Sequence, residues 1–145
     1  MSESPITIGW KERIDLPEWG FRRVRAKMDT GAYTTAMGVR NVQIRQRRGE
    51  TVVSFFPAIR SGRIHTPRRI IAPLVGMVRV RSSNGHVEDR PVIETIMRLG
   101  TIEKRIRITL TDRSQMRTGI ILGRRALCGD FVVDVGQKYR LAQPS

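Results

Sequence analysis

Arg23-Val24-Arg25-Ala26-Lys27-Met28-Asp29-Thr30-Gly31-Ala32 is the stretch on which the fold of this chain turns. Val24, Ala26 and Met28 alternate with Arg23, Arg25 and Lys27, the period of two of a half-buried strand. The strand delivers a carboxylate, Asp29, to its end, where a loop can present it to a substrate. A small hydroxyl residue follows, and then a glycine that lets the backbone turn sharply.

The same alternation recurs on both sides. Val42 and Ile44 alternate with Asn41, Gln43 and Arg45, and Arg48-Gly49-Glu50 offers a turn into Thr51–Phe56. Val78 and Val80 alternate with Arg79 and Arg81 before Ser82-Ser83-Asn84-Gly85-His86, where Asn-Gly is a strong hairpin signal. Pro91–Leu99 and the alternating Ile106, Ile108 and Leu110 read as further strands, and Ile120-Ile121-Leu122 as a short buried one. Arg124–Cys128 suits one or two helical turns stopped by Gly129. Phe131-Val132-Val133 and Tyr139-Arg140-Leu141 flank a turn at Gly136-Gln137. Short strands separated by turn residues predict an all-β domain, a small closed barrel or a sandwich, with one short helix near the C-terminus. The stretch 58–73, with Gly62, Pro67 and Pro73, is expected to be an irregular insertion.

The chain of 145 residues fits a single domain, 1–145, large enough to bury a core without staples. No apolar run approaches the length of a membrane span, and no basic head followed by an apolar stretch opens the sequence. One cysteine, Cys128, excludes an internal disulfide, and a soluble cytoplasmic protein is expected. The charge is less ordinary. Lys and Arg total 27 against 13 Asp and Glu, a net +14, and 23 of the 27 are Arg. Such a surface attracts polyanions, either nucleic acid or acidic protein. The arginines are dispersed, with short clusters at 22–25, 45–48 and 68–69 and no basic tail.

Asp-Thr-Gly alone is a weak signal. Its weight rises because a second element, Ile120-Ile121-Leu122-Gly123-Arg124, lies far downstream. Together the two resemble the retropepsins, the retroviral-type aspartic peptidases, in which an Asp-Thr-Gly-Ala loop packs over a later apolar strand ending in Gly-Arg. The strings Lys27–Ala32, Arg81–His86, Arg90–Thr95 and Ile121–Arg124 are similar, in the same order, to a narrower bacterial and archaeal group. Its members are often labelled ATP-dependent zinc proteases, and some are encoded near ligases that add glutamate to proteins. The resemblance covers roughly residues 6–141.

Neither half of that label fits the residues. There is no His-Glu-x-x-His and no cysteine pair for zinc, and His65 and His86 fall on different predicted elements. No Gly-x-x-x-x-Gly-Lys-Ser/Thr loop is present for ATP. No metal and no cofactor are therefore expected.

The resemblance implies a closed retropepsin-type barrel, peptide hydrolysis, and a homodimer. Such chemistry needs two carboxylates sharing one proton. One small domain supplies a single Asp-Thr-Gly, so the second Asp29 must come from a second copy across a two-fold axis. Asp134-Val135-Gly136 is an in-chain alternative that lacks the hydroxyl residue. The implied roles are catalysis by Asp29 and support from Thr30, Gly31, Ala32, Gly123 and Arg124. A flap over the substrate falls on the hairpin Val80–Arg90, with Ser82, Ser83, Asn84, Gly85 and His86 at its tip. The substrate would be a peptide or protein, and the charge together with the ligase context suits an acidic or glutamylated one.

The chain departs from the retroviral pattern at Tyr33, where those enzymes carry an acidic residue that pairs with the later Arg. Arg124 must then find another partner, either Asp130 or a backbone carbonyl. The separation of Asp29 from Gly123 also exceeds a minimal retroviral-type enzyme, and the surplus falls in Gln43–Pro73. Bland readings stand beside these: Asp29 as a turn residue, Asn84-Gly85 as a plain surface hairpin, Cys128 as a small buried apolar residue. Two other functions compete. One is a basic β-barrel module binding RNA or ribosomes, disfavoured by 6% aromatic residues. The other is a retropepsin-like fold without catalytic activity.

Overall fold

The computed structural model describes residues 4–59, 68–81, 84–112 and 119–141. The strands are β1 (Ile6–Leu16), β2 (Phe21–Met28), β3 (Thr35–Arg47), β4 (Glu50–Pro57), β5 (Ile70–Pro73), β6 (Gly76–Arg81), β7 (Val87–Leu99), β8 (Ile102–Thr111), β9 (Ile120–Leu122) and β10 (Phe131–Lys138). A 3-10 turn at Pro17–Trp19 and one helix, α1 (Arg124–Leu127), complete the elements.

The main sheet runs β10-β1-β2-β9-β3-β8-β7-β6, and a further pairing of β1 with β7 at Asp15 and Arg98 closes it one strand in from each end, leaving β10 and β6 outside the ring. The ring β1-β2-β9-β3-β8-β7 is a closed six-strand barrel. Closure pairs both edges of each of these six strands, which an open sheet would leave partly free for aggregation. Inside are the inward positions of each strand, among them Ile14, Leu16, Met37, Ile93, Met97, Ile108, Ile120 and Leu122, all fully buried. Each contributes about 1.5–3 kcal/mol of burial. The expected all-β barrel with one short C-terminal helix is the observed architecture.

The surplus between Gln43 and Pro73 has a fold of its own. β3 leaves the barrel after Gly38, and its outer half pairs with β4, which in turn pairs with β5. The turn between β3 and β4 is Arg48-Gly49, both at positive φ (53° and 78°), the primed geometry that suits a two-residue hairpin. Phe55 sits at the root of this excursion, fully buried and edge-on to Trp19 at 5.7 Å between ring centroids. The sequence reading makes all of 58–73 irregular. Ile70–Pro73 is instead a strand, because Ile70 and Ala72 face inward and Val53 and Phe55 are available as partners. Residues 60–67 of that stretch lie outside the described residues.

Two other readings change. β1 escapes the search for alternation because a charged residue, Glu12, occupies one of its inward positions. Glu12 is fully buried and accepts hydrogen bonds from the backbone N–H groups of Gly9 (2.7 Å), Arg140 (2.9 Å) and Leu141 (3.1 Å). Its carboxylate thus ties the C-terminal turn to the barrel wall. The turn predicted at Gly136-Gln137 lies within β10, which runs through to Lys138, while Tyr139–Leu141 turns where a strand was expected.

Candidate active site

β2 ends at Met28, the chain loops through Asp29–Thr34, and it returns as β3. β9 slots between the two. It runs parallel to β2 (Ala26 opposite Ile120, Met28 opposite Leu122) and antiparallel to β3 (Ala36 opposite Ile121, Met37 opposite Ile120). The loop therefore bridges the end of β9, and the residues after β9 emerge against it.

Five hydrogen bonds hold this crossing. Asp29 N donates to Leu122 O (2.9 Å), Arg124 N to Ala32 O (2.8 Å), and Arg125 N to Tyr33 O (3.0 Å). Gly123 N donates to Thr35 Oγ1 at 3.2 Å, and Arg124 Nη1 to Thr30 O at 2.9 Å. Gly123 is demanded by the close approach itself, since a β-carbon there would lie 2.8 Å from the Thr34 nitrogen. Short α1 starts at once and carries Ala126 and Leu127 into the core.

The Asp29 carboxylate is half-buried, and its Oδ1 accepts a hydrogen bond from Gly31 N at 3.0 Å. That bond fixes the side chain against its own turn. Thr30 and Gly31 are exposed beside it. The structure thus brings together Asp29, Thr30, Gly31, Ala32, Gly123 and Arg124, six residues that the sequence reading singles out. Arg124 has found the backbone carbonyl of Thr30, and its guanidinium lies 5.8 Å from the centroid of the Tyr33 ring. Asp130, the other partner considered, is bound by Lys104 Nζ at 2.7 Å. Asp134 reproduces the local turn, with Gly136 N donating to its Oδ1 at 2.9 Å, but it lies on β10, and β1 stands between β10 and β2.

The hairpin expected at Val80–Arg90 is present, with Arg81 opposite Val87. Gly85 has φ 84°, and Asn84 Oδ1 accepts from His86 N at 3.2 Å. Ser82 and Ser83 lie outside the described residues. Cys128 is exposed, where burial was expected, because the chain leaves α1 in extended conformation there. Among the described residues, no group of three or more His, Cys, Asp or Glu is arranged to hold a metal ion. No helix among them is long and apolar enough to cross a membrane.

Sequence reasoning missed a neighbouring cavity of about 450 Å³. Thr34, the last residue of the Asp29 loop, and Thr35, the first of β3, share its walls with the base of the hairpin, with β8 and with α1. The alternation of β8 puts Arg105 and Arg107 on its outer face, but no sequence signal joins them to Thr34.

A closed six-strand barrel whose Asp-Thr-Gly loop is bolted across a Gly-Arg strand end defines a retropepsin-like domain. Residues 7–144 match the family described as "Retropepsin-like aspartic endopeptidase RimB", and the chain belongs to this RimB-like family. It is also 31% identical over 147 residues to a protein of Shewanella halifaxensis named "Probable alpha-L-glutamate ligase", covering 99% of this chain and 31% of the relative. A protein of Desulfotalea psychrophila with the same name is 32% identical over 139 residues, covering 95% of this chain and 30% of the relative. The chain thus spans about a third of the length of the curated relatives it matches. A crystal structure of a Legionella pneumophila protein of unknown function (DUF785) shares the fold. Its TM-score is 0.79 at 22% identity, over 95% of this chain and 99% of that one.

Proposed function

We propose that this chain is an aspartic endopeptidase whose active form is a homodimer, with the two Asp29 carboxylates as its proton-sharing pair. The observation that carries this reading is the loop itself. Asp29 is held by Gly31 N at one oxygen, and its backbone is tied to Leu122, so the carboxylate stands fixed at an accessible strand end. Thr30 and Gly31 lie exposed beside it, free to meet a symmetry-related loop.

In this reaction one carboxylate takes a proton from water as the water oxygen attacks the scissile carbonyl carbon. The other carboxyl group gives its proton to the carbonyl oxygen. The tetrahedral intermediate collapses with cleavage of the C–N bond, and a proton passes to the leaving amine. The peptide would lie extended under the Val80–Arg90 hairpin, held by backbone pairing and read by pockets for alternate side chains. The roles of Gly123 and Arg124 are to position the loop, and they need not touch substrate.

The substrate we propose is an acidic or glutamylated protein segment. Net charge +14 supports it, as does the presence of a region like this chain within relatives named as glutamate ligases. The test is cleavage of a peptide pool that includes glutamate-rich sequences by the wild-type chain and by Asp29→Asn. Loss of all cleavage in a folded variant supports the reading, and persistence of cleavage removes it. Binding of RNA or ribosomes by a basic barrel is favoured by the charge alone. Affinity falling steeply with salt, without cleavage of any peptide, would favour it.

A further inference from the structure

The cavity beside the Asp29 loop has a pronounced charge imbalance. Among the described residues, Arg105, Arg107 and Arg125 line it, against a single acidic residue, Glu94. Glu94 is already taken up by Arg107, whose Nε donates to Oε1 at 3.1 Å. Arg105 faces Glu18 at 3.6 Å, with both side chains largely exposed, a loose pair of the kind that contributes little. No ion pair holds the Arg125 guanidinium among the described residues. The walls between these charges mix apolar residues, Met77 and Val92 among them, with Thr34, Thr35 and Thr109, and among the described residues they carry no aromatic side chain on which a base could stack.

One wall of the cavity belongs to a sheet edge. β6, whose residues Gly76–Val78 form that wall, is the terminal strand of the sheet path among the described residues. A terminal strand presents unpaired backbone groups that an extended peptide can join. A chain added there would present alternate side chains on the face of the sheet that carries the cavity.

From this juxtaposition we infer that the cavity is a subsite for an acidic peptide segment, in which Arg125, Arg107 and Arg105 bind side-chain carboxylates and β6 pairs with the backbone. The inference deepens the endopeptidase reading and rests on it for the claim that the segment belongs to a substrate. Planar guanidinium groups accept carboxylates in a two-pronged fit that a lysine cannot reproduce, so these are specificity-determining residues. Acidic peptide is favoured over RNA because phosphate contacts alone would leave the bases without stacking partners.

The test is binding without cleavage. A fluorescein-labelled hexaglutamate peptide is titrated into the full chain carrying Asp29→Asn, with hexaglutamine as the neutral probe. Adding Arg107→Gln and Arg125→Gln should weaken hexaglutamate binding by about tenfold or more. Met77→Glu, at a half-exposed cavity position, should do the same through repulsion. Arg45→Gln with Arg47→Gln, which removes the same charge from the β3–β4 hairpin, should change binding by less than about twofold. Equal losses from both arginine pairs, no loss from either, or displacement of the peptide by lower concentrations of single-stranded RNA would overturn the subsite. Cleavage by the chain with Asp29 intact separates the two readings. Binding that depends on the cavity with no hydrolysis of any peptide removes the endopeptidase alone. Hydrolysis of glutamate-rich peptides unaffected by the cavity variants removes the subsite alone.

Discussion

Arg124 donates from Nη1 to the backbone carbonyl of Thr30 at 2.9 Å, a contact between residues 94 apart in the chain. In retroviral-type enzymes the corresponding Arg has an acidic partner, and here Tyr33 stands in that place. The guanidinium has turned to the loop backbone and lies near the Tyr33 ring, so among the described residues the loop is braced by this hydrogen bond and not by an ion pair. Arg124→Ala should therefore cost about 1 kcal/mol of stability, the worth of an exposed bond, yet lower peptide cleavage by about tenfold or more. Urea unfolding and kcat/KM for one peptide check the two halves.

The approach of Gly123 to Thr34 leaves no room for a side chain. Gly123→Ala should destabilise the fold by about 1–3 kcal/mol, because the β-carbon meets backbone that cannot swing aside. Gly76 has open space around its missing β-carbon, and Gly76→Ala should stay within about 0.5 kcal/mol of wild type. Paired denaturation curves test the difference.

Thr35 is buried and accepts the Gly123 N–H. Thr35→Val keeps the shape and removes the acceptor, leaving a buried donor unsatisfied at a cost of about 1–3 kcal/mol. Faster hydrogen exchange at the Gly123 amide should accompany the loss.

Glu12 holds three backbone N–H groups from a fully buried position. Glu12→Ala should cost about 3–5 kcal/mol, since a cavity and three orphaned donors are created together. Glu12→Gln keeps one acceptor oxygen and should cost less. The amides of Arg140 and Leu141 should lose protection first, measured by hydrogen exchange.

Much of this architecture is legible in the residues, and the reasons differ by element. β2 shows itself because its inward residues are apolar and its outward ones are Arg and Lys, so local pattern and burial agree. β9 is only three residues long, and its place between β2 and β3 follows from the similarity of Ile120–Arg124 to a known strand end, not from any periodicity. β1 stays hidden because Glu12 sits where an apolar residue would betray the pattern, and two of the three backbone donors that satisfy it come from residues 128 and 129 positions away. The cavity was invisible for a similar reason. Its walls gather from β6, β7, β8 and α1, and charge on an outer strand face looks the same whether it borders solvent or a binding site.

The central claim is that one carboxylate from each of two copies makes the catalytic pair, and mixed dimers test it most directly. Wild-type chain is co-refolded with increasing Asp29→Asn chain at constant total concentration, and peptide cleavage is followed. If both carboxylates are needed, activity falls as the square of the wild-type fraction, to about a quarter at equal mixing. A linear fall, to about half, would mean that each copy works alone and would contradict the shared pair.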